Sequence, residues 1–211
     1  MDYKNSIDQT TVNYVDDSTG MISSKDGNTL QKYINDYFLL LERFYNISKL
    51  FINCDKSKLL LTCKNKLRGK VLGITLRASA YEIMPSEKIK VLGVFITSGL
   101  SNLATIKNII SKVNYRRILL NKIFKFSSAR TKKLLTDSII LSVIRYASPI
   151  LIDSTVQQLQ SIQTIIMKSA RPILGYDSLK WSTSTIMNKL NWGTIQQLIL
   201  VDSLKFIHRV L

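Results

Sequence analysis

Apolar and polar positions change period twice along the first hundred residues. Thr11-Val12-Asn13-Tyr14 and then Thr19, Met21 and Ile22 read as strands before Lys25-Asp26-Gly27 breaks the run, which predicts a β-hairpin with Asp16 and Asp17 at its tip. Leu30, Tyr33, Ile34, Tyr37, Phe38, Leu41, Phe44 and Tyr45 then recur at helical spacing, so a long helix should bury that face, with Asn28 as its N-cap. Short strands follow over 50–53, 58–63, 70–77 and 89–96, with Met84-Pro85-Ser86 as a break. After Gly99 the texture becomes helical, with segments expected near 102–125, 129–148, 154–170, 183–190 and 194–210 and with Pro149 and Pro172 as breakers.

The fold class expected is therefore α+β: a mixed layer over 1–99 and an all-helical bundle over 100–211. A 45% hydrophobic content supports a folded core rather than a disordered chain.

Charge changes the picture more than composition does. The net charge is +16, yet residues 1–60 hold seven Lys/Arg against eight Asp/Glu, so the rest of the chain carries +17. No acidic residue lies between Glu87 and Asp137, a stretch that holds Lys107, Lys112, Arg116, Lys122, Lys125 and Arg130 among others. A run of this kind is ordinarily a solvated helix face. Over 102–125, however, Leu103, Ile106, Ile110, Val113 and Leu120 fall on one side and most of the cations outside it, which predicts a packed face and a cationic face suited to phosphates.

Other chemistry is sparse. Cys54, Cys63 and the sole histidine, His208, match no zinc spacing, so no zinc is expected and two buried reduced thiols are the simpler reading. Trp181 and Trp192 read as packing anchors. No apolar run approaches the roughly 18 residues of a membrane span, and the expectation is a soluble intracellular protein without a membrane partner.

Asp16 and Asp17 raise the sharper question, because adjacent carboxylates repel unless a cation or hydrogen bonds accept their charge. In a two-metal site, carboxylates are the hard ligands that hold divalent cations. Most Asp-Asp pairs are nothing more than solvated turns, so context must decide.

The ordered blocks Tyr14-Val15-Asp16-Asp17, a long helix, Leu50-Phe51-Ile52-Asn53-Cys54-Asp55-Lys56-Ser57-Lys58 and Val91-Leu92-Gly93-Val94 resemble the reverse transcriptases of non-LTR retrotransposons. Ser138–Pro149 and Ala170–Gly175 look like the helical region that follows the palm in these elements, so the resemblance spans roughly residues 10–190. It implies a partial polymerase palm carrying the Y-x-D-D hairpin, then a thumb and further helices. Many non-LTR elements have Ala where Val15 stands. Asp16 and Asp17 would be metal ligands for a pair of Mg2+ ions, Tyr14 would lie near the primer terminus, and Lys56 would orient or protonate departing pyrophosphate. The basic helix would follow an RNA template and its RNA/DNA duplex, deoxynucleotides would be the substrates, and the nucleus or cytoplasm would be the compartment.

The family's palm also draws a metal-binding aspartate from a strand well upstream of the hairpin. Thirteen residues precede Tyr14 here, with Asp2 and Asp8 as the acidic ones. The expectation is that fingers, nucleotide-contacting segments and that aspartate are missing and that the chain alone does not polymerise. The alternatives are a non-catalytic nucleic-acid-binding module and a non-functional retroelement remnant.

Overall fold

The computed structural model describes residues 9–14, 17–63, 73–78 and 81–210. The regular elements among the described residues are helices and short two-stranded sheets. It divides into two compact units, one of Met1–Ile89 with Thr97–Leu100 and one of Lys90–Ile96 with Ser101–Leu211.

In the first unit β1 (Gln9–Tyr14) pairs antiparallel with β2 (Asp17–Ile22), and α1 (Gly27–Ile47) follows. The N-cap of α1 is Asp26 rather than Asn28: its backbone is extended and its Oδ2 accepts the Thr29 amide at 2.8 Å. That leaves Asn28 inside the first turn. Of the expected apolar face only Ile34 and Phe38 are buried, while Phe44 is 63% exposed. A helix of 21 residues outruns the small strand pairs available to cover it.

A side chain does the work of a strand between α1 and β3 (Leu76–Ala78). The Gln31 amide accepts from the Thr75 N–H at 2.8 Å and donates to the Thr75 carbonyl, as a neighbouring peptide group would. β3 pairs with β4 (Tyr81–Ile83).

The other expected strands are corrected. Residues 50–53 form no strand; Asn53 instead closes a turn by accepting the Lys56 amide on Oδ1 at 3.1 Å. Of 58–63 only Leu59 pairs, in a single parallel bridge to Pro85, and of 70–77 the strand covers Leu76 onward, with 64–72 outside the described residues. The run 89–96 is a hairpin, β5 (Lys88–Val91) and β6 (Val94–Thr97), turning at Leu92-Gly93 with φ of 46° and 87°. Two positive φ values are what a two-residue type I′ turn requires, and Gly93 supplies one without strain. Cys54 and Cys63 are free and half-buried rather than buried.

The second unit holds α2 (Leu103–Phe124), α3 (Ala129–Thr136), α4 (Ser142–Ala147), α5 (Val156–Leu174), α6 (Thr183–Leu190) and α7 (Ile195–Val210). A π-helical turn, Asp137–Leu141, joins α3 to α4, and a 3-10 segment, Ser148–Asp153, continues beyond. Pro149 sits at the start of that segment, where its missing N–H leaves no bond unmade. Pro172 does not stop α5, which begins in a Thr155/Gln158 capping box and ends at Gly175.

The core of this unit is the buried set that includes Ile106, Val113, Ile144, Leu151, Ile162, Ile166 and Ile186. Each fully buried aliphatic side chain contributes about 1.5–3 kcal/mol. Trp181 and Trp192 pack against the core's edge, and the Lys189 ammonium lies 4.4 Å from the centre of the Trp181 ring. On α2 the buried face is Ile106, Ile109, Val113, Leu120 and Phe124; Leu103 is exposed and Ile110 partly buried.

One helical run among the described residues, Ala129–Asp153, is long and apolar enough to cross a membrane by length and composition. The sequence hides it because Thr136, Asp137, Ser138 and Ser142 interrupt the apolar run. Thr136, Ile140, Leu141, Ile144, Ala147, Ser148 and Leu151 from this run are buried against the other helices.

Candidate functional site

Strand β1 meets β2 in a register that pairs Thr11 with Gly20 and Tyr14 with Asp17. Two tyrosines of α1 hold this hairpin, one on each strand. The hydroxyls of Tyr37 and Thr11 are hydrogen-bonded at 2.9 Å, and those of Tyr45 and Ser18 at 2.7 Å. Residues eight apart lie about 80° apart around a helix, within one broad face, so a single side of α1 positions both strands. Gly20 makes this possible: a Cβ there would stand 2.6 Å from Cε1 of Tyr37.

Asp17 is exposed at the start of β2, and Asp16 and Val15 lie outside the described residues. Tyr14 is placed by its backbone, the last residue of β1. Among the described residues no group of three or more His, Cys, Asp or Glu gathers to hold a metal ion. Asp17 offers carboxylate oxygens, hard donors, at an accessible strand end. Lys56 is exposed in the turn that Asn53 organises, and no ion pair joins it to Asp17.

Electrostatics elsewhere in this unit concern two carboxyls. The Thr29 amide, and then the Thr29 hydroxyl, hold the Asp26 carboxyl below the usual carboxylate range. The Thr75 hydroxyl, and then the Arg77 guanidinium, do the same for Glu82. Both arrangements brace local structure.

In the helical unit Lys107, Lys112, Lys122 and Lys125 are exposed on α2 or its cap, and Arg130 is exposed in the first turn of α3. Among the described residues none of the five forms an ion pair. Arg116 differs from them. It is half-buried, and its Nη1 donates to the Ile139 carbonyl at 2.6 Å.

A cleft of about 140 Å³ opens beside these cations, lined by Gly93, Asn108, Lys112, Arg116 and Tyr146 among others. Its rim is tied down. The Tyr146 hydroxyl donates to the Leu92 carbonyl at 2.6 Å, while Thr105 Oγ1 accepts from the Phe95 N–H at 3.2 Å and donates to the Phe95 carbonyl at 2.8 Å. Two cations and an amide facing one recess make it attractive to an anion.

Sequence reasoning missed two residues here. Tyr115 is 66% exposed and Phe126 92% exposed, each inside the acid-free stretch. The signal was available, because both break the polar pattern expected of an outward face. No family model, no curated protein and no solved structure matches this chain.

Proposed function

We propose that this chain is part of the RNA-directed DNA polymerase of a non-LTR mobile element: a partial palm carrying the YVDD hairpin, followed by a basic thumb and further helices. The observation that carries the reading is the hairpin itself. An antiparallel pair closes on Tyr14 and Asp17 and is braced from one side by Tyr37 and Tyr45 of the helix that follows. A catalytic carboxylate pair needs such bracing, because a misplacement of about 1 Å can cost on the order of a hundredfold in rate.

In this reading Asp16 and Asp17 would hold part of a pair of magnesium ions, which when bound stabilise the attacking and the leaving oxygens of nucleotidyl transfer. Tyr14 would lie beside the primer terminus. Lys56 would meet the negative charge of departing pyrophosphate, and the exposed cations of α2 and Arg130 would follow the backbone of the RNA/DNA duplex. In this reading Asp16 and Asp17 alone do not complete a two-metal cage, so the 211 residues by themselves should not extend a primer.

A second reading, a nucleic-acid-binding module that does no chemistry, is favoured by the five exposed cations that form no ion pair among the described residues, and it needs neither aspartate. Primer extension on an RNA template with magnesium or manganese, beside the Asp16→Asn/Asp17→Asn double variant, tests both. Extension abolished in the double variant would establish the polymerase and overturn the expected inactivity of the chain. Salt-sensitive duplex binding without extension, unchanged in the double variant, would favour the binding module.

A further inference from the structure

We propose that the outward face of α2, together with the turn after it, binds single-stranded nucleic acid by stacking bases on Tyr115 and Phe126. This rests on the nucleic-acid reading above, but it assigns this face of α2 to an unpaired strand in place of the RNA/DNA duplex and names the contact that selects it.

Helix α2 turns about 100° per residue and rises about 1.5 Å. On that geometry Lys107, Tyr115, Ile118, Leu119, Lys122 and Lys125 lie on the side away from the buried face, with Lys112 at its flank. Cations and apolar groups therefore alternate on one surface. Phosphates tracked by lysines, with bases laid on aromatic rings between them, is how unpaired strands are held without sequence preference.

Phe126 makes the case most strongly. Its turn is wired at every step: the Phe126 amide donates to the Ile123 carbonyl at 3.1 Å, Ser127 Oγ donates to the same carbonyl at 3.0 Å, and Ser128 Oγ accepts the Thr131 amide at 3.2 Å. A fixed turn thus presents a phenyl ring to water between Lys125 and Arg130. Exposing that ring yields no burial in this fold, and a base face would cover it.

Two other occupants fit less well. A duplex would engage the lysines but keep its bases stacked inside, leaving Tyr115, Ile118 and Phe126 uncovered. A bilayer surface calls for one segregated apolar stripe, and the segregated stripe of α2 is used by the core.

The test is fluorescence anisotropy of the full chain with a labelled oligouridine and with a matched RNA/DNA duplex, each over a salt series, beside anionic phosphatidylserine vesicles. The oligouridine should bind more tightly than the duplex. Tyr115→Ala and Phe126→Ala should each weaken oligouridine binding by about fivefold or more with little effect on the duplex, and Tyr115→Phe should restore the loss. Lys122→Ala should instead lower the salt slope by about 0.7. Circular dichroism checks that these exposed substitutions leave the helices intact. Duplex binding at least as tight, with both aromatic variants silent, would overturn the inference and leave the polymerase reading standing. Preference for vesicles would also overturn it, and loss of all nucleic-acid binding would overturn both.

Discussion

Arg116 reaches out of α2 to donate Nη1 to the Ile139 carbonyl at 2.6 Å, in the π-helical turn Asp137–Leu141. A π turn shifts the hydrogen-bonding pattern of a helix, and a charged donor there compensates it. Arg116 thus belongs as much to the packing of α2 on the α3–α4 run as to the cationic surface. Arg116→Ala should destabilise the chain by about 1.5–3 kcal/mol, read from urea unfolding. A neutral result would return Arg116 to the group of simple phosphate contacts.

Leu92 adopts φ of 46° in the β5–β6 turn, and the left-handed region costs a residue other than glycine about 1–2 kcal/mol. Leu92→Asn creates the Asn-Gly pair that type I′ turns favour. The variant should raise the unfolding midpoint by the equivalent of about 1 kcal/mol. Lower stability would mean that Leu92, 44% exposed, contributes packing that outweighs the strain.

The lowered Asp26 carboxyl gives a direction to acid sensitivity. Its folded pKa lies below the unfolded value, so its contribution is complete above about 4 and disappears as pH falls through the folded pKa. Asp26→Ala should lower the melting temperature at neutral pH and converge with the parent chain in strong acid. Glu82, lowered by Thr75 and Arg77, should behave in the same sense. A difference independent of pH would assign the loss to something other than the charged cap.

Gln163 is buried on α5, and its Oε1 accepts the Ile195 amide at 2.8 Å at the start of α7. Gln163→Ala removes that partner and leaves a buried N–H unsatisfied. Equilibrium unfolding should show a loss of about 1–3 kcal/mol, and hydrogen exchange should speed up first in the opening turn of α7. Unchanged exchange there would show that another group takes over the bond.

Much of the helical architecture was legible as pattern. The 3.6-residue period marked α2, α6 and α7 closely, because long amphipathic segments repeat one signal many times. Thr155 followed by Gln158 carried the start of α5 in plain view, and the Asp16-Asp17 pair drew notice to the hairpin. The strands were harder. With four residues a strand repeats its alternation twice at most, so 89–96 read as one strand when a turn at Leu92-Gly93 folds it into two.

Contacts distant in sequence decided the rest. Nothing in the local pattern says that Tyr37 will lie across Gly20, that Gln31 will stand in for a strand beside Thr75, or that Arg116 will serve Ile139. The sequence by itself determined the charge imbalance, the helical segments and the presence of two adjacent carboxylates, since these depend on residue identity and short-range spacing. Which cations stay in water, which are drawn into packing, and which aromatic rings are left facing outward depends on how helix faces compete for a limited core. Only the tertiary structure resolves that competition.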